Sequence, residues 1–477
     1  MLKNFSLKNF VALVLCMVLL GSLCACGSSE SVPTTEGNAA SQSFMVGYSK
    51  QDVTPSTPSP LYGYGNPSER MHTEVLDPLY LTCVAMTDAQ DTTVMFVTID
   101  ICSLDDNSAS SLRAKISSET GVPKENIMVS VTHTHSAPQA AAISNALVNA
   151  AAKAGKAAMD DRKEAKMYIG TGETDGINFI RHYVLDDESV VGDNHGTWAG
   201  KVHVGHTTEV DEEMRVIQFK REGAKDVVIA NWQSHPHMTG GASKTSLSAD
   251  IIGMFRMYME NDTGCLFAYY QGGAGNINPT SRIQEENANS EKNYKIHGQK
   301  LAETCKLALQ NATEAELGLI QIQTATFEAG ANREDMNLAS DAVDVVSYYE
   351  AGHTIDETAT YAQTNYGIQS LYHAQAIGWR GGLPEVIGVE VNAISFGSVA
   401  WVTAPFEIFD TNAKYVRDNS PYEMTFYNAY CNGGNGYLAS QAAWEYGCYE
   451  ADTAAFARGT AELLSEQLLS MLNELHG

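Results

Sequence analysis

Twice along this chain an apolar run ends in a His-x-His pair, and that repeated ending limits how the chain can fold. The first is Ile127-Met-Val-Ser-Val-Thr-His133-Thr-His135. The second is Val227-Val-Ile-Ala-Asn-Trp-Gln-Ser-His235-Pro-His237. Residues alternate faces along a strand. The spacing therefore predicts that Ile127, Val129 and Val131 share a face with His133 and His135. In the second run Val227, Ile229, Asn231, Gln233, His235 and His237 share one face. Each pair alone reads equally well as imidazoles satisfied by backbone or as working groups. Two pairs favour a site, because ligands gathered at strand ends are a common construction in α/β proteins. Zinc accepts His together with carboxylate. Glu407 closes Trp401-Val-Thr-Ala-Pro-Phe-Glu407 and reads either as a third ligand or as a solvated strand end.

The remaining patterning is that of a mixed α/β protein. Strands are expected at Val94–Ile101, Ile127–His135, Met214–Lys220, Val227–His235, Cys265–Gln271, Leu319–Phe327 and Pro384–Glu407, with another near Met424–Tyr430. Helices are expected at Ile143–Ala165, Ala249–Asn261, Glu291–Gln310 and Thr453–Leu475. In the last, Leu463, Leu464, Gln467, Leu468, Met471, Leu472 and Leu475 recur at helical spacing. No repeat or low-complexity break follows Met45. The fold class is therefore α/β, with mixed β-sheets flanked by helices in a single large domain over 44–477.

Two glycine-rich turns follow strands, Gln271-Gly-Gly-Ala-Gly-Asn-Ile-Asn278-Pro279 and Asn432-Gly-Gly-Asn-Gly-Tyr437. Neither carries a phosphate-loop pattern. They read as tight turns or as places where backbone approaches a ligand. His195, His203 and His206 crowd one loop-like stretch and read as solvated histidines, with a second metal as the alternative.

The first residues are expected to leave the fold. Lys3 and Lys8 precede the short apolar run Phe10–Leu20, and Leu23-Cys24-Ala25-Cys26 resembles a bacterial lipobox. Residues 1–25 read as a lipoprotein signal peptide, with Cys26 lipidated and 26–43 a flexible linker. An ordinary cleaved signal is the alternative. The expected location is extracytoplasmic, anchored by lipid to a bacterial membrane. The formal charge of −27 argues against nucleic acid as a partner, since little here would neutralise a row of phosphates. Beyond the leader the cysteines are Cys83, Cys102, Cys265, Cys305, Cys431 and Cys448, with no CxxC. Cys431 with Cys448 is the pair to test as a disulfide, and buried free thiols are equally compatible.

Taken in order, several segments resemble the catalytic domain of the neutral/alkaline, non-lysosomal ceramidases. They are Gly47–Pro55 with Asp52-Val-Thr-Pro55, Thr132–Pro138, Asn231–Pro236, Ser248-Ala-Asp250, Gln271–Pro279, Ala404–Glu407, and Gly436-Tyr437 with Tyr449-Glu450. The resemblance implies zinc held by His133, His235, Glu407 and Tyr437, with His135 beside it as a proton-transfer or oxyanion group. It places Arg181 in the cleft. It implies hydrolysis of an amide bond in an N-acyl lipid, ceramide-like, by metal-activated water. Two departures stand out. The family's loop serine is replaced by Asn278, whose amide is no nucleophile and is left the part of a positioning donor. The family's C-terminal immunoglobulin-like domain does not follow the last helix. The alternatives are a different amide or ester substrate, or a binding lipoprotein on the same scaffold. Oligomeric state is not legible.

Overall fold

The structure is a computed structural model describing residues 43–64, 67–196, 198, 200–241, 243–279 and 290–477, the side chains of 68 and 290–292 aside. The expected leader, Cys26 and nearly all of the linker lie outside the described residues. Among the described residues, a nine-stranded sheet orders its main path as Leu266–Gln271, Val227–Trp232, Glu213–Arg221, Lys163–Glu173, Met45–Asp52, Tyr80–Thr87, Thr93–Ile99 and Ile127–Val131. Thr313–Ala315 adds to Lys163–Glu173. Most neighbours are antiparallel. The two outer pairs, Thr93–Ile99 with Ile127–Val131 and Val227–Trp232 with Leu266–Gln271, are parallel. Both His-bearing segments therefore emerge from strands in parallel pairs, at opposite ends of the sheet order.

The sheet curls until those ends meet. Tyr270 OH donates to the Phe96 carbonyl at 2.9 Å, and Gln271 Nε2 donates to the carbonyls of Thr132 (3.2 Å) and Ser234 (2.7 Å). A second sheet of Ile320–Gly330, Val386–Phe396, Val399–Thr403 and Met424–Asn428 packs against the first. Trp401 is the buried wedge between them, 4.3 Å from the Phe96 ring and stacked on Phe426 at 4.7 Å. Helices Asp106–Thr120 and Ser144–Asp160 pack together beside one flank. Asp250–Thr263 packs on Ser290–Gln310, and Thr460–His476 lies over the second sheet.

The mixed α/β class and the positions of the main strands along the chain agree with the sequence reading. Several boundaries do not. The helix expected over 143–165 ends at Asp160. Lys163–Glu173 is a strand, with Ala165, Met167 and Ile169 buried at alternate positions. The last helix begins at Thr460, not Thr453, because Gly459 sits at φ 83° and residues 455–457 are tied to the strand that ends at Gly330. The long strand expected over 384–407 is a hairpin that turns at Gly397, at φ 81°. A Cβ there would collide with the Glu316 carbonyl. Helix Asp106–Thr120 and the group Ala339–Glu350, Ile355–Tyr366 and Leu371–Arg380 were not anticipated. Among the described residues all six cysteines are buried free thiols, so Cys431 and Cys448 are not bridged.

Candidate active site

Neither His-x-His pair lies on its strand. The first strand ends at Val131 and the second at Trp232, and His133 adopts φ 69°. A left-handed turn carries the imidazole inward. The alternating-face argument therefore fails for the histidines while the placement at strand ends holds. His133 is buried under the ring of Tyr430, stacked at 4.2 Å, and Tyr430 also has a positive φ of 54°. Such strain in non-glycine residues persists only where surrounding structure enforces it.

Three ligand-type atoms converge. His133 Nε2 lies 3.2 Å and His235 Nε2 3.5 Å from Glu407 Oε2, and all three lie within 4.8 Å of one another. Glu407 is delivered by the two-residue strand Glu407–Ile408, paired in parallel with Tyr437–Leu438, so that Glu407 and Tyr437 are register partners. The other imidazole nitrogens are committed. His133 Nδ1 donates to the Cys102 carbonyl at 2.7 Å, and His235 Nδ1 donates to the Ile277 carbonyl at 2.9 Å. A carbonyl only accepts, so each Nδ1 carries the hydrogen and a neutral ring presents a lone pair at Nε2. Two lone pairs thus face a carboxylate oxygen that is itself buried with no hydrogen-bond donor. Such a set calls for a proton or a cation at its centre. Without a cation a proton serves. Burial, the largest single effect, would lower His133, but Glu407 and Cys102 together outweigh it and push the imidazole up to about 10. Glu407 is held well below the usual carboxylate range despite burial, by His133 first. Burial, then the Arg181 charge, pushes His235 down to about 3. The donor set fits zinc: two imidazoles locked by backbone carbonyls and one carboxylate.

The other expected residues surround this centre. His135 Nε2 lies 3.2 Å from His133 Nε2, and its Nδ1 is buried with no partner. Burial and then the neighbouring imidazoles hold His135 well below the usual histidine range, so its ring is neutral. Gly63, at φ 106°, presses on it, since a Cβ there would lie 2.6 Å from His135 Cγ. Arg181 Nη1 lies 3.5 Å from both His235 Nε2 and Asn278 Oδ1, and its guanidinium sits 5.5 Å over the Tyr437 ring. Burial and then Glu407 raise the Tyr437 phenol well above its usual range. Asn278 is held rather than poised. Its Nδ2 donates to Asp193 at 2.9 Å, and its Oδ1 accepts from His237 Nε2 at 3.0 Å.

His203 and His206 lie apart, half-buried on a short strand against Tyr183. His195 pairs with Asp452 at 2.9 Å. Among the described residues none of these three joins a group of three metal-ligand side chains. The sequence reading missed Gln271 as the tie between the two His loops and Tyr430 as the lid on His133. It gave no role to Glu450, whose carboxylate is buried against Arg181. Gln271 ends an apolar strand as the histidines nearly do, which was its one visible signal.

The curled sheet thus brings two buried histidines to a carboxylate supplied by the separate Glu407–Ile408 strand, a group able to hold a cation. Residues 44–271 match the family described as neutral/alkaline non-lysosomal ceramidase, N-terminal. That span contains His133, His135, Arg181 and His235, while Asn278, Glu407 and Tyr437 lie beyond it. The fold is similar to neutral ceramidase from Pseudomonas aeruginosa, with TM-score 0.68 and 16% identity over 91% of this chain and 74% of that one. It is equally similar to a ceramidase complexed with C2, with TM-score 0.70 and 16% identity over 91% and 75% of the two chains. No protein of curated function matches the chain in sequence. The family match over 44–271 supports a ceramidase-like hydrolase, and the solved structures show that the fold is the one neutral ceramidases share.

Proposed function

We propose that this chain is a zinc-dependent amidohydrolase that cleaves the amide bond of an N-acyl lipid of the ceramide type. The observation that carries this is the convergence of two carbonyl-locked imidazoles on the donorless Glu407 oxygen. His133, His235 and Glu407 would hold the metal, with Tyr437 beside Glu407 as the further ligand. When bound, zinc acts as a Lewis acid and brings water ionisation near neutrality. The chain's own residues do the rest. His135, whose Nε2 lies beside His133 Nε2 at the centre, would carry the proton to the leaving amine. Arg181 Nη1 lies beside the same centre and would stabilise charge growing on the carbonyl oxygen. Asn278 keeps Arg181 and His237 in place. With both ends of its amide engaged it offers no nucleophile.

Because Asn278 occupies the position of the family's serine, a second reading keeps the hydrolase and changes the acyl substrate. We also infer a lipid anchor at Cys26, placing the enzyme outside the cytoplasm at the membrane that holds its substrate. No helix among the described residues is long and apolar enough to cross a membrane.

The test uses the compact unit beginning at Ser41. Metal analysis should find close to one zinc per chain, lost in the His133→Ala, His235→Ala double variant. Assay against N-acylsphingosine beside other acyl amides and esters then separates the two readings. A protein that neither carries nor takes up zinc would overturn the mechanism.

A further inference from the structure

Glu450 is a buried carboxylate beside the centre with no role in the chemistry above. Its Oε1 accepts from Arg181 Nε at 2.6 Å and pairs with Nη2 at 2.5 Å. Its Oε2 accepts from His182 Nε2 at 2.9 Å, and His182 Nδ1 accepts from Tyr446 OH at 2.8 Å. Burial would raise this carboxyl, but Arg181 and then His182 hold it well below the usual range. Arg181 is further pinned at its backbone, where its N–H donates to the Asn276 carbonyl at 2.9 Å.

We propose that Glu450 is a positioning residue: it clamps one edge of Arg181 so that Nη1 faces the His133–His235–Glu407 centre, and it offsets a charge that would oppose a cation there. This rests on the metal reading given above. The first half follows from geometry. A guanidinium is planar, and a carboxylate on its Nε–Nη2 edge leaves one orientation for Nη1. The second half follows from charge. Arginine does not shed its proton, and its Nη1 is 3.5 Å from a ligand nitrogen. Only a neighbouring anion can lessen the repulsion, and in a dry site that repulsion is far stronger than in water. The His182–Tyr446 pair completes the device. By occupying Oε2 it keeps Glu450 from turning toward the centre as a competing ligand.

The test is a double-mutant cycle in the full chain, with Glu450→Gln, Arg181→Met and both together. It is read on zinc affinity by competition with a chromophoric chelator, and on kcat and KM. Glu450→Gln should weaken zinc about tenfold or more where Arg181 is present, and by less than about threefold where it is Met. kcat should fall about tenfold with KM little changed, and should fall no further when Glu450→Gln is added to Arg181→Met. Equal effects of Glu450→Gln in both backgrounds would overturn the proposal. Should Glu450→Gln not fold, Glu450→Asp decides. It keeps the charge and shortens the reach, so zinc affinity should stay within about threefold while kcat falls. Retained kcat in that variant would refute the clamp. A wild-type chain that binds zinc but turns over no acyl amide would end the lipid-hydrolase reading, and the zinc arm of the cycle would still decide Glu450.

Discussion

Replacing Gln271 by Met should loosen the centre without touching any proposed ligand. Gln271 is fully buried, and its amide spans the two His loops. Nε2 donates to the carbonyls of Thr132 and Ser234, the residues just before His133 and His235. Oε1 accepts from Tyr269 OH at 2.6 Å and more weakly from Ser234 N at 3.4 Å. Methionine fills nearly the same volume and makes none of these bonds. Tyr269 OH keeps its bond to the Trp232 carbonyl at 2.7 Å, so it is not orphaned. The loss therefore falls mainly on the two carbonyls that Nε2 joined, and weakly on the Ser234 N–H. At roughly 1–2 kcal/mol for each buried polar group left without its partner, the cost is about 2–4 kcal/mol. The loops would also gain freedom to separate, and removing such supports typically weakens metal binding about 10–100-fold. Urea unfolding gives the first number and chelator competition the second. A variant with the wild-type urea midpoint and zinc affinity would show that the loops are fixed by something else.

Two further outcomes follow from the structure. Gly63→Ala should keep zinc and lose activity, because the new Cβ strikes the His135 ring and alanine is strained at φ 106°; metal content beside kcat separates the two effects, and full activity would refute His135 as the proton carrier. Asp77 is pushed up to about 7, mainly by burial, although Ser248 and the Ala249 N–H lower it. Its folded pKa lies above its unfolded one, so the folded state holds the extra proton between about pH 4 and 7. Stability should fall as pH rises through that window, by up to about 4 kcal/mol from this group, and level off above it. Asp77→Asn should flatten that part of the stability–pH curve, and an unchanged slope would refute the assignment.

What the sequence made legible was composition of the site more than its geometry. The two apolar runs ending in histidine did locate His133 and His235, because burial of a strand is written in consecutive Val, Ile and Ala. It could not show that His133 leaves the strand through a positive φ, since nothing local forces a histidine there. The ring of Tyr430 and the bonds of Thr132 and His133 to the Ile99 and Ile101 carbonyls are long-range causes. Arg181 was visible only through family resemblance, and its partner Glu450 lies far along the chain. The strand at Lys163–Glu173 was lost because it follows a helix after only a short turn and its glycines hide the alternation. Gly170 and Gly172 are there so that the helix ending at Gln310 can press against the sheet. A Cβ at Gly170 would meet the Ala308 carbonyl at 2.5 Å.

The short pairing of Glu407 with Tyr437 also sets when the centre can exist during synthesis. A nascent chain that has released both histidines still lacks the carboxylate, and that carboxylate is aligned only once the partner strand near the C-terminal end has arrived. Closing the centre also brings Glu407 to His133 from far along the chain, and such non-local contacts form late. A chain stopped early would carry two imidazoles and no vessel for an ion. On the proposed reading, retained metal would therefore report folding at least as far as Tyr437.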